Sequence, residues 1–169
     1  MNELNDFFEG DHRRLEDLLN RATADLDNIN METFAEFRKG MLRHISMEEK
    51  SIIPALVEAR GGNPLHIVRQ VKLEHGAIVA LLVPPPGRGV ISVLRQVLAH
   101  HHHLEEGAGG LYESCERITG DRAQDVLKKA KAIPEVPVLP HNPDLVAYQA
   151  AIRTLARAGY EVTEGELKA

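Results

Sequence analysis

Four stretches of this chain carry apolar residues at steps of three and four, and each of these stripes is interrupted near its middle by a histidine. The stretches cover about residues 3–27, 31–59, 64–82 and 89–118. Steps of three and four put side chains on one face of an α-helix. Strong breakers separate the stretches: Asn28-Ile29-Asn30, then Arg60 to Pro64 with two glycines, then Pro84-Pro85-Pro86-Gly87-Arg88-Gly89, then Gly120-Asp121. Nothing between them alternates with period two for long, so no strand is expected. Short connections make successive helices antiparallel neighbours. The expected fold is all-α: an up-down-up-down four-helix bundle over residues 1–120 with a helical extension over 121–169. In the extension, Asp121 is expected to cap a short helix over about 121–132. A stretch with four prolines, a proline-rich arm, runs from 134 to 143. Asp144 is expected to cap a last helix over about 145–158, ended by Gly159, with a frayed charged tail after it. The extension has two places to pack: the bundle, or a neighbouring subunit in a homodimer.

The 169 residues suffice for one domain with a real core. A formal net charge of −5 speaks against nucleic acid as a partner. The one basic cluster, Lys128, Lys129 and Lys131, reads as a solvated helix face. The longest apolar runs, Ala77 to Val83 and Ile52 to Val57, are too short to cross a membrane. The N-terminal Met-Asn-Glu-Leu-Asn-Asp has neither the basic nor the apolar part of a secretory signal. Cys115 is the single cysteine and has no internal partner for a disulfide. A cytoplasmic protein is the expectation.

Histidine is the unusual count, at nine. Four are consecutive, His100 to His103. They lie inside a helical pattern, and His12, His44, His66, His75 and His141 lie elsewhere, so an internal purification tag does not explain them. The inward stripe of the first helix runs Phe8, His12, Leu15, Leu19. The second runs Phe37, Met41, His44, Glu48, Ile52. The third runs Val71, His75, Ile78, Leu82. The fourth runs Leu94, Leu98, His101, Glu105, Ala108, Tyr112. His44 and Glu48 share a face because four residues make about 400° of turn. The pair His101 and Glu105 does the same. His102 and Glu106 have equal spacing on a poorer stripe through Arg95 and Gly109, so the register of the fourth helix stays open. His100 and His103 fall off the seam. Counted from the breaks, the six groups lie within a few residues of one level, about 2–9 Å at the helical rise.

Buried carboxylates are costly unless paired or bound to a cation. Two of them beside four imidazoles, with no Lys or Arg in the stripes, point to a metal. Imidazole with carboxylate suits iron, manganese or zinc. Six groups exceed one tetrahedral zinc site. Two metals sharing two bridging carboxylates would use them all.

These residues resemble the hemerythrin-like, or HHE cation-binding, domain. The matching pieces are Gly10-Asp11-His12, His44-Ile-Ser-Met-Glu48-Glu49-Lys-Ser-Ile-Ile-Pro54, Leu73-Glu74-His75 and His101-His-His-Leu-Glu105-Glu106. The resemblance covers about residues 3–118. It implies two non-heme iron ions with a bridging oxygen species, held by His12, His44, Glu48, His75, His101 and Glu105. Oxygen carriers of the family have a second histidine four residues from the third-helix one. Here those positions are Val71 and Val79. The four-histidine, two-glutamate pattern resembles iron-sensing hemerythrin-like domains and the bundle of iron-centre repair proteins. Glu49, Glu74 and Glu106 are candidates for a vacant coordination position. The function this implies is the binding of a small diatomic or peroxide ligand (oxygen, peroxide or nitric oxide), or the sensing or handling of iron. No catalytic residue is assigned. The alternatives are a di-iron oxidase or peroxidase, an iron-sulfur-centre repair protein, and an interaction protein whose site holds zinc or nothing.

Overall fold

The computed structural model describes residues 3–169; Met1 and Asn2 lie outside the described part. Helix α1 spans Glu3–Ala22. Helix α2, Met31–Met47, starts at Asn30, whose side chain accepts the Thr33 N–H and so satisfies one free donor of the first turn. It runs without a break through a π-helical turn, Glu48–Ile52, into α3, Ile53–Ala59. Helices α4, His66–Leu81, and α5, Arg88–Glu106, complete the long segments. After them come α6, Leu111–Thr119, α7, Ala123–Lys131, α8, Leu145–Ala158, and α9, Glu164–Lys168. Among the described residues there is no strand, and no helix is long and apolar enough to cross a membrane.

The core consists of two apolar clusters with a polar layer between them. One holds Leu15, Leu19, Phe34, Phe37, Met41, Ile78, Leu81, Leu94 and Leu98. The other holds Leu4, Phe8, Met47, Ile52, Leu56, Val68, Val71 and Tyr112. Reading along the chain, α1 leaves the second cluster, passes His12 and enters the first. The rod of α2 and α3 does the reverse, passing His44 and Glu48. Helix α4 again runs from second to first past His75, and α5 runs back past His101 and Glu105. This alternation gives the bundle its up-down-up-down sense. It also puts every mid-stripe polar residue at the same level.

The structure departs from the sequence expectations in several places. Helix α1 stops at Ala22, and residues 23–28 form turns. The fourth segment is not one helix over 89–118: it breaks at 107–110, and α6 sets off afresh. Asp121 lies inside a 3₁₀ turn, Gly120–Arg122, and its side chain caps nothing; Asp144 does hold the N-cap position of α8, but its side chain makes no capping hydrogen bond. The tail is ordered rather than frayed. Thr163 and Glu166 form a reciprocal capping box, and Leu167 is buried in the first cluster. A charged sequence concealed this because the one fully buried apolar side chain, Leu167, comes two residues before its end.

Residues 133–143 have no regular secondary structure and run beside α2. Arg38 and Arg43 donate to the Leu139 and Ile133 carbonyls, at 2.7 and 2.9 Å. Helix α8 packs on α4, adding Ala151 and Leu155 to the first cluster. Helix α9 packs on α5 at Gly89, where a Cβ would overlap the Glu166 carbonyl and the Leu167 backbone. Gly89→Ala is therefore expected to undock α9 at a cost of about 1–3 kcal/mol, the usual range for overpacking. Hydrogen exchange should rise over residues 163–169 and stay unchanged in α1 and α2; unchanged exchange at the tail would contradict the close approach.

Candidate metal centre

All six residues expected at the seam meet in the polar layer. His12, His44, Glu48, His75, His101 and Glu105 are buried, with both carboxylates fully inaccessible. They form two groups that share the glutamates: His12 and His44 with Glu48 and Glu105, and His75 and His101 with the same pair. Each glutamate divides its oxygens between the groups. Glu48 Oε1 is 3.3 Å from His44 Nε2, and its Oε2 is 3.0 Å from His75 Nε2. Glu105 Oε2 is 3.3 Å from His12 Nε2, and its Oε1 is 3.1 Å from His101 Nε2. The register of the fourth helix falls with His101 and Glu105 inward. Glu106 and His102 lie at the margin of the layer, and His103 is exposed.

Each histidine has a second carboxylate behind it. The Nδ1–H of His12 donates to Glu106 at 2.6 Å, that of His44 to Asp11 at 2.8 Å, and that of His75 to Glu49 at 2.8 Å; Glu74 stands behind His101 at 3.3 Å. This orients each ring with its Nε2 towards the centre, the arrangement found behind metal-ligating histidines. Glu49, Glu74 and Glu106 therefore do not fill a vacant position at the centre, contrary to the sequence expectation. Their carboxylates are on the outer nitrogens. Asp11 was not singled out from the sequence, yet it plays the same part. A signal for it was present: an acid directly precedes both His12 and His75, and a second glutamate directly follows both Glu48 and Glu105. Each Glu-Glu pair grips a histidine of another helix, one carboxylate on each ring nitrogen: Glu48-Glu49 on His75 and Glu105-Glu106 on His12. The π turn that begins at Glu48 lies where α2 must aim two consecutive residues at one ring.

Beyond this layer, Glu74 also accepts from His100 at 2.6 Å, from Gln70 at 3.1 Å and from the Tyr160 hydroxyl at 2.8 Å. His100 is half-exposed, and its ring nitrogen faces inward rather than to solvent. His102 stacks on His12 with ring centroids 4.0 Å apart. Tyr112 comes from α6 and puts its hydroxyl among the first group, 2.6 Å from Glu48 Oε1. Sequence reasoning placed it on the stripe and gave it no role.

The donor set fits cations. Among the described residues, Glu48 Oε2, Glu105 Oε1, His75 Nε2 and His101 Nε2 are buried with no hydrogen-bond partner. Their separations of 3.0–3.6 Å bring charges together, but the groups are not aligned on one another. Ligands at right angles on a common ion with bonds of about 2.1 Å would stand about 3 Å apart. Without a cation, protons must balance the carboxylates. Burial lowers the basicity of His44, but Glu48 beside it and the Asp11 hydrogen bond outweigh burial and carry it up to about 10. His75 and His101 are raised for the same reason, against the same burial. Burial works to raise the Glu105 carboxyl, yet His101 beside it holds it well below the usual range. His102, pressed down by burial and by neighbouring His12 and His101, falls to about 3 and is neutral.

In comparisons with known proteins, residues 3–83 match the family model described as the hemerythrin HHE cation binding domain. The match ends before α5, so the placing of His101 and Glu105 rests on the structure alone. No curated protein and no solved structure matches the chain.

Two outcomes follow from this geometry. Asp11→Ala removes the acceptor behind His44 and should weaken cation binding by about 10–100-fold, the usual loss when such a partner is removed; a chelator competition titration with zinc or cobalt reads it. A histidine raised above its ordinary value adds stability below pH 6.5, and that stability is lost as pH rises towards about 10. The melting temperature of chelator-treated protein should fall across that interval, and saturating cation should abolish the fall.

Proposed function

We propose that this protein, whose residues 3–83 match the hemerythrin HHE cation binding domain model, is a cytoplasmic non-heme di-iron protein that meets oxygen, peroxide or nitric oxide, or senses or handles iron. The observation that carries this reading is the division of Glu48 and Glu105, each presenting one oxygen to either histidine pair. His12 and His44 would hold one ion, His75 and His101 the other, with both glutamates shared. Bound iron would supply reversible one-electron chemistry and positions for a small ligand.

The chain's own residues do the rest. Asp11, Glu49, Glu74 and Glu106 hold the imidazoles in one orientation. The two apolar clusters above and below keep bulk water from the layer. Six protein side chains cannot fill two octahedral ions, and this favours a centre that admits a small molecule. The lone cysteine, Cys115, is free and buried, in keeping with a reducing compartment.

Metal content of protein purified without a metal-affinity resin tests the reading. Two irons per chain are expected, with an optical change when the ferrous protein meets oxygen, peroxide or nitric oxide. Zinc alone, with no uptake of ferrous iron under anaerobic conditions, would overturn the iron assignment. His44→Ala should lose at least one ion per chain and melt lower, because a buried carboxylate is left without its counter-charge. Full metal content and an unchanged melt would remove His44 from the site.

A further inference from the structure

The two cation positions are not equivalent, and Tyr112 makes the difference. We propose that Tyr112 is itself a ligand, through its phenol oxygen, of the cation held by His12 and His44. The inference rests on the cation reading above, but not on which small molecule the centre meets.

The hydroxyl lies 2.6 Å from Glu48 Oε1, 3.1 Å from Glu105 Oε2, 3.1 Å from His12 Nε2 and 3.3 Å from His44 Nε2. These are the four members of one group. An oxygen occupying the cation's own place would stand about 2.1 Å from each, at ordinary metal–ligand bond lengths. An oxygen at a corner next to all four would stand about 3 Å away, as this one does. Hydrogen bonding accounts for the set only while the Nε2 atoms of His12 and His44 carry protons. A phenol has one proton, and the short contact to Glu48 uses it. The Nδ1–H groups of His12 and His44 are given to Glu106 and Asp11. Their Nε2 atoms then carry lone pairs in the cation-bound state, so three of the four neighbours are acceptors facing an acceptor. A cation in their midst turns that repulsion into coordination.

The chain is built to bring this oxygen back. Tyr112 comes only seven residues after Glu105, and it reaches the same layer because α5 ends and the chain folds over at 107–110. The fold-over needs Gly110, where a Cβ would meet the Glu105 and Leu104 carbonyls. The ring is fully buried and stacks on Phe8 at 5.1 Å. No side chain among the described residues plays this part for His75 and His101, whose Nε2 atoms are without hydrogen-bond partners. On coordination the O–H bond gives way to an O–metal bond and the proton passes to solvent, with no change of oxidation state.

The test compares the full chain with Tyr112→Phe, each loaded anaerobically with ferrous iron and then oxidised in air. Visible absorption, resonance Raman scattering and iron per chain are read for both. Wild type should show a tyrosinate-to-ferric charge-transfer band with phenolate ring modes. Tyr112→Phe should lose both and bind the second ion more weakly by about 10-fold or more, at least the loss seen when a ligand's partner is removed. Two irons in wild type without phenolate modes would overturn the assignment and leave the di-iron reading standing. So would a variant with the wild-type spectrum and affinity. A wild type that takes no iron would overturn both. The wild-type Raman spectrum decides the matter even if the variant does not fold.

Discussion

Two carboxylates, Glu48 and Glu105, sit fully buried in the middle of the bundle without a lysine or arginine beside them. Leaving such charges unbalanced in a low-dielectric interior costs several kcal/mol per ion. Much of the structure answers that one problem. Four imidazoles surround them, four more carboxylates orient the imidazoles, and two apolar clusters seal the layer from above and below. The arrangement stands only if positive charge resides at the centre, whether carried by protons on histidine or by cations.

The orienting contacts run between helices rather than within them. Asp11 on α1 serves His44 on α2, and Glu106 on α5 serves His12 on α1. Glu49, in the π turn, serves His75 on α4, and Glu74 on α4 serves His101 on α5. Each helix both lends and receives a carboxylate, so the centre ties all four rods together. The C-terminal residues join the same network: Tyr160 donates to Glu74, and Gln70 bridges Glu74 to the Ala158 carbonyl. The segment after the bundle thereby reaches the back of His101 without approaching the centre itself.

Much of this was legible in the sequence because helix periodicity is a local property. His44 and Glu48, or His101 and Glu105, share a face by spacing alone. An apolar stripe interrupted at one level in four helices brings the six groups together once successive helices are antiparallel. The orienting acids were visible as residues adjacent to that set, but not as partners, since spacing cannot say that Glu49 turns to an outer nitrogen on another helix. The π turn that accompanies this aim has no periodic signature of its own.

The sequence by itself determined the helical class, the buried His and Glu set and its need for positive charge at the centre, because each follows from which residue types fall on which face. Only the tertiary structure decided the register of α5, the pairing of each imidazole with a carboxylate from another helix, and the ordering of the tail by Leu167. It alone also decided the return of Tyr112. The physical reason is common to these. Each depends on where a chain goes after a break, or on the distance between side chains far apart in sequence, and neither is fixed until the helices have packed.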